Sequence, residues 1–145
     1  LYILHNLQEF FRQMLSEGKV HGDLLAESDL FFAGAHRRPD VCWLSKEQIY
    51  RLADEGDESP SFVIEIISNR DAINNVQEKM EDYRRSGVKV VWHIFSKMKM
   101  VHVYAGKNLD EMKVCKASEI CTAAPVLPAF NISVDNIFYK KIIFF

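Results

Sequence analysis

Asp40, Glu65 and Lys79 are the residues whose types and spacing suit one particular reaction. Asp40 follows a proline, Glu65 interrupts the apolar run Phe62-Val63-Ile64-Glu65-Ile66-Ile67, and Lys79 lies in the polar stretch after it. Two carboxylates and an ammonium brought to one point suit Mg²⁺ or Mn²⁺, hard cations that take oxygen ligands, keep several waters and bind phosphate at the same time. Such an ion polarises a phosphoryl oxygen and lowers the pKa of a bound water. A nearby lysine orients or deprotonates that water and offsets the developing negative charge. The corresponding reaction is metal-assisted hydrolysis of a phosphodiester. Each residue also has a plainer reading: Asp40 as a turn residue after Pro39, Glu65 in a structural ion pair with Lys79 or Arg38, and Lys79 as a solvated lysine. Glu65 is the anomaly, because a carboxylate inside a buried strand is costly unless a cation offsets it.

The surrounding pattern predicts the elements that would position these three. Ile3, Leu7, Phe10, Phe11, Met14 and Leu15 recur at helical spacing over residues 3–17, and Gly18 is a natural stop. Residues 19–32 read as two short antiparallel strands around Glu27-Ser28-Asp29, residues 34–38 as a loop, and residues 40–44 as a third strand with Asp40 at its start. Ser45-Lys46-Glu47-Gln48 has the form of a helix N-terminus and opens a helix to about Ala53. Residues 54–59 form a surface loop, and residues 62–67 a buried strand. A helix over 72–86 follows, with Ile73, Val76, Met80 and Tyr83 on one face and Lys79 at the edge of that stripe, able to lay its stem on the core and turn its ammonium inward. Residues 88–95 and 98–104 read as strands, and 112–114 as an exposed one. Residues 123–130 read as irregular, and 134–145 as a terminal helix. The strand–helix–strand unit implies a parallel pair joined by a right-handed crossover. The sum is an α/β domain with a mixed central β-sheet flanked by helices, the early strands forming a meander.

Composition excludes several classes of function. The 145 residues carry a formal charge of −2, which argues against a surface coated in basic residues, though not against a local basic cleft. Three cysteines without C-x-x-C spacing read as reduced structural thiols of a cytoplasmic protein and form no zinc motif. No apolar stretch approaches the ~20 residues of a membrane span, so no membrane association is expected. The chain starts on Leu1 without a methionine, which points to a missing first element. Arg37, Arg38, Arg84, Arg85, Lys89, Lys97 and Lys99 are available either for phosphate contacts or for a solvated surface. His93 and His102 read as ordinary sheet residues, whereas His5 and His36 could fall near the site.

Pro39-Asp40, Glu65 within Val-Ile-Glu-Ile-Ile-Ser, Lys79, Tyr83, Gly87, Trp92, Val126-Leu127-Pro128 and Ile137-Phe138 together resemble the Uma-type putative restriction endonuclease family of the PD-(D/E)XK nuclease superfamily. The resemblance begins near His5 and spans nearly the whole chain. It implies one restriction-endonuclease-like domain over 1–145, without the family's N-terminal segment. By the same resemblance Asp40 and Glu65 are ligands of Mg²⁺ or Mn²⁺, the catalytic residues are Asp40, Glu65 and Lys79, and the substrate is DNA. Cutting two strands needs two sites, which suggests a homodimer, though no interface is legible in the sequence. The superfamily's usual lysine position, two residues after the second acid, is Ile67 here, which shifts that role to Lys79. A position commonly acidic in relatives is Phe95, and Glu27 is available as a replacement carboxylate. The competing expectation is a catalytically inactive nuclease-like module that binds DNA or another protein.

Overall fold

The computed structural model describes residues 1–141 except 33, 55 and 69. Helix α1 (Tyr2–Ser16) forms because Ile3, Leu7, Phe11 and Met14 repeat on one helical face and are all buried. Four short strands follow: β1 (Asp23–Ala26), β2 (Leu30–Phe32), β3 (Ala35–Arg37) and β4 (Val41–Leu44). Helix α2 (Lys46–Ala53) has the expected start, a capping box in which Ser45 accepts from the Gln48 N–H and the Gln48 side chain accepts from the Ser45 N–H. Strand β5 (Phe62–Ile67), helix α3 (Ile73–Arg85) and strand β6 (Val90–Phe95) make the crossover unit, and β5 and β6 pair in parallel. The rest is β7 (Met100–Ala105), a short 3₁₀ turn, β8 (Glu111–Lys116), β9 (Ile120–Ala123), β10 (Leu127–Ser133) and α4 (Val134–Ile137).

The central sheet has six strands in the order β1-β4-β5-β6-β7-β8, mixed because only β5 and β6 run parallel. Strand alternation separates two cores. On one face Val41, Trp43, Phe62, Ile64, Val90, Trp92 and Ile94 pack against α1, β9, β10 and α4. Trp92 anchors that layer, stacking on Phe130 and donating its indole N–H to the Thr122 carbonyl at 3.0 Å. On the other face Cys42, Leu44, Val63 and Val91 pack against Met80 and Tyr83 of α3 and against Leu30 and Phe32 of the β2–β3 hairpin. Gly87 ends α3 at φ 80°, a conformation that suits glycine and returns the chain toward β6.

Four expectations are corrected. The strands within 19–32 do not pair with each other or form a meander: β1 joins β4, whereas β2 pairs with β3 inside the segment read as a loop, in a separate two-stranded hairpin. Residues 123–130 are not irregular, since β9 and β10 pair across a register shift between Leu127 and Asn131 that accommodates Pro128. The terminal helix is a single turn, Val134–Ile137, and the expected residues 142–145 lie outside the described ones. The apolar face of α3 is shorter than predicted. Ile73 is 78% exposed, and only Met80 and Tyr83 of the predicted stripe are buried, because the N-terminal half of the helix stands off from the sheet. Among the described residues no helix is long and apolar enough to cross a membrane. Cys42, Cys115 and Cys121 are buried free thiols.

Candidate functional site

Antiparallel register brings the two acidic residues together. Val41 lies opposite Ile64, so Asp40, one step before β4, falls opposite Glu65 on the same face. Asp40 Oδ2 accepts the Ile66 N–H at 2.7 Å, and Glu65 Oε2 accepts the Asp40 N–H in a longer contact of 3.4 Å. The parallel partner of Glu65 is His93, whose antiparallel partner is His102, so a polar row crosses the sheet on the α3 side. Helix α3 supplies two more groups. The Tyr83 hydroxyl donates a short hydrogen bond to Glu65 Oε1, and Lys79 Nζ stands 4.0 Å from Glu65 Oε2. Asp40, Glu65 and Lys79 are thus brought to one place, although Lys79 is at the limit of an ion pair.

The electrostatics of this cluster are unbalanced. Glu65 is only 3% exposed, and burial pushes its pKa up from 4.5 to about 7. The Tyr83 hydrogen bond and the Lys79 charge work against that rise, while the neighbouring Asp40 adds to it. Burial likewise pushes the Tyr83 hydroxyl upward, reinforced by Glu65, so Tyr83 is a hydrogen-bond donor throughout the ordinary pH range. His93 is pushed down to about 4 by burial, then by His102 and Lys79, and is therefore neutral at pH 7.

Glu65 and His93 line a cleft of about 560 Å³ between the C-terminal end of β5 and the N-terminal half of α3. Arg37, Asp40, Glu65, Lys79 and His93 all contribute to it, together with Arg70, Asp71 and Glu78. Of the other basic candidates, Arg38 contacts Glu27 and Asp29, Arg84 pairs with Glu81, and Arg85 with Asp82. His36 pairs with Asp29 at 3.0 Å, and neither it nor His5 reaches the cleft lining. Glu27 is in a smaller adjoining pocket that shares Asp40 and Ile66. His93, read from the sequence as an ordinary sheet residue, lines the cleft, as do Arg70, Asp71 and Glu78, which no sequence pattern singled out for the site. Aligning the apolar ends of the 62–67 and 90–95 strands in parallel register would have placed His93 beside Glu65.

Among the described residues no group of three or more His, Cys, Asp or Glu side chains is arranged to hold a metal ion. Magnesium asks for less, commonly one or two carboxylates with waters and substrate phosphate completing its shell. A buried glutamate, underpaired and beside a second carboxylate, is a donor set of that kind.

Comparison with known proteins agrees with this architecture. The chain matches the family model Uma2, described as putative restriction endonuclease, over residues 2–135. It is similar in fold to a solved structure of a putative nuclease belonging to DUF820 from Anabaena variabilis ATCC 29413. The TM-score is 0.76 at 17% sequence identity, covering 94% of this chain and 78% of that one. No curated protein matches.

Proposed function

The chain belongs to the Uma2 family of putative restriction endonucleases, and from that premise we propose that it is a metal-dependent endonuclease hydrolysing DNA phosphodiester bonds. The observation that carries the reading is the Asp40–Glu65 carboxylate pair on the wall of an open cleft, with Lys79 beside it. Asp40 and Glu65 would hold Mg²⁺ or Mn²⁺, which when bound supplies Lewis acidity at a phosphoryl oxygen and a water of lowered pKa. The Ile66 N–H fixes the Asp40 carboxylate, and the Tyr83 hydroxyl fixes that of Glu65, so both are held in place before any ligand arrives. The Lys79 side chain is 40% exposed, so its ammonium can leave Glu65 to orient an attacking water and stabilise negative charge on the phosphorus oxygens. Cutting both strands of a duplex takes two such sites, which a homodimer would supply.

The small donor set favours one alternative, a nuclease-like module that binds without cutting. Calorimetric titration of Mn²⁺ into wild type, Asp40→Ala and Glu65→Ala, alongside nicking of supercoiled plasmid, separates the two. Metal binding and nicking that are present in wild type and vanish in both variants support the nuclease. A folded wild type that neither binds Mn²⁺ nor nicks DNA overturns it.

A further inference from the structure

Asp82 is as buried as Glu65, at 3% exposure, yet it lies outside the cleft lining. Arg37 meets its Oδ2 through Nε at 2.6 Å and through a terminal nitrogen, and Arg85 meets Oδ1. Arg37 is the last residue of β3, in the hairpin that stands apart from the central sheet, and its side chain lines the cleft while remaining 23% exposed. A guanidinium carries five N–H donors in a fixed planar fork. With Nε and one terminal nitrogen turned to Asp82, the other terminal nitrogen keeps its donors. One carboxylate also cannot neutralise two arginines, so the Arg37–Asp82–Arg85 group keeps a net positive charge.

The cleft needs such a charge. Its lining sets Asp40, Glu65, Asp71 and Glu78 against Arg37, Arg70 and Lys79, so a phosphodiester approaching the acidic pair is repelled unless a wall cation holds it. Docking the hairpin would not by itself call for an ion pair, since Leu30 and Phe32 already bury it against Tyr83 and buried pairs are often replaceable by apolar ones. We propose that Arg37 is a phosphate-binding residue of this cleft, gripping a backbone phosphate beside the scissile one, and that Asp82 is the positioning residue that holds its guanidinium there. The proposal rests on the nuclease reading and names the group that receives the substrate backbone.

The test measures fluorescence anisotropy of a labelled DNA duplex, with Ca²⁺ in place of Mg²⁺, across a salt series, and plasmid cleavage kinetics in Mn²⁺. Arg37→Ala should weaken duplex binding about 10-fold and flatten the slope of log K against log salt by about 0.9, with the kinetic loss mainly in KM. Arg37→Lys should restore the slope but not the full affinity, because an ammonium cannot serve Asp82 and a phosphate together. Asp82→Asn should raise KM while the salt slope persists, since the Arg37 charge remains. Should Arg37→Ala fail to fold because Asp82 is left underpaired, the double variant Arg37→Gln/Asp82→Asn decides. It preserves the net charge of the protein and should still bind as weakly as Arg37→Ala. A folded Arg37→Ala or double variant that binds and cleaves like wild type overturns the Arg37 assignment alone. A wild type that neither binds nor cleaves duplex overturns the nuclease reading with it.

Discussion

Replacing Glu65 by glutamine should stabilise the metal-free protein while destroying its proposed activity. The carboxyl is buried, and its folded-state pKa is raised from 4.5 to about 7 by that burial above all. Because this carboxylate is raised rather than depressed, its neutral form is the one folding favours. The stability it contributes is whole below pH 4.5 and is lost as pH climbs through 7. Each pH unit of that window is worth about 1.4 kcal/mol, so at pH 8 the ionised carboxylate costs the fold about 3 kcal/mol. Glutamine keeps an acceptor for the Tyr83 hydroxyl and removes the charge, but it sacrifices the weak contact with the Asp40 N–H, worth about 1 kcal/mol at most. The net expectation in EDTA is a variant about 2 kcal/mol more stable than wild type at pH 8 and nearly equal to it at pH 5. That corresponds to a Tm higher by roughly 4–8 °C in the alkaline arm. Urea unfolding, followed by fluorescence of the buried Trp43 and Trp92, measures the difference directly. Saturating Mn²⁺ should then reverse the order, adding about 2.7 kcal/mol to wild type at 100 times its Kd and nothing to the variant. A variant less stable than wild type at pH 8 in EDTA would refute the reasoning, because it would mean the carboxylate is already compensated without a metal.

Three further outcomes follow from the same contacts. Tyr83→Phe removes the donor to Glu65 Oε1 and should destabilise the metal-free protein by about 1–3 kcal/mol at pH 8. Its effect should shrink at pH 5, where Glu65 is protonated; equal losses at both pH values would count against it. For Asp82, burial alone would raise the pKa, but hydrogen bonds and charge from Arg37 and Arg85 outweigh it and hold the carboxyl below its ordinary value. The stability from that depressed group is present above the unfolded pKa of about 4 and is lost as pH falls through the folded value. Asp82→Asn should therefore cost about 2 kcal/mol at pH 7, and progressively less toward pH 3 in urea titrations. Gly22→Ala should cost about 2–4 kcal/mol by chemical denaturation, since Gly22 has φ +76° and a Cβ there would collide with the Leu44 carbonyl oxygen and stand 2.8 Å from Trp43 Nε1. A neutral result would show that the loop before β1 moves freely.

Local pattern made the central unit legible. The apolar run at 62–67 and the helical spacing after it specify β5, α3 and β6, and a carboxylate in a buried strand announces itself without any partner being known. Alternation puts Asp40 and Glu65 on one face only once their strands are neighbours, and that adjacency, with the register of Val41 opposite Ile64, was not written in either strand alone. The β2–β3 hairpin escaped detection because its second strand, Ala35–Arg37, is polar and short, and its docking depends on Leu30, Phe32 and an ion pair with α3. Asp82 was equally hidden. On the helix it follows the solvent-facing Glu81 and precedes the buried Tyr83, and although Arg85 lies one turn on, the Arg37 that completes its pairing is distant in sequence. Pro125 and Pro128 disguised β10 as irregular chain, although β10 uses the register shift to pair with β9.

Glu65 and Asp82 are equally buried carboxylates on the same side of the sheet, and their opposite electrostatic fates argue for function more strongly than either does alone. Asp82 has an arginine on each oxygen, and its pKa falls. Glu65 has a tyrosine hydroxyl, a lysine at 4.0 Å and a second carboxylate opposite it, and its pKa rises. The fold is therefore able to neutralise a buried acid with close cations, and does so one residue before the tyrosine that holds Glu65. If Glu65 served only stability, the same arrangement, or a plain apolar residue in the β5 run, would be the cheaper solution. A deficit of positive charge kept at the wall of an open cleft is instead what a site needs if its missing partner is a divalent cation arriving with the substrate.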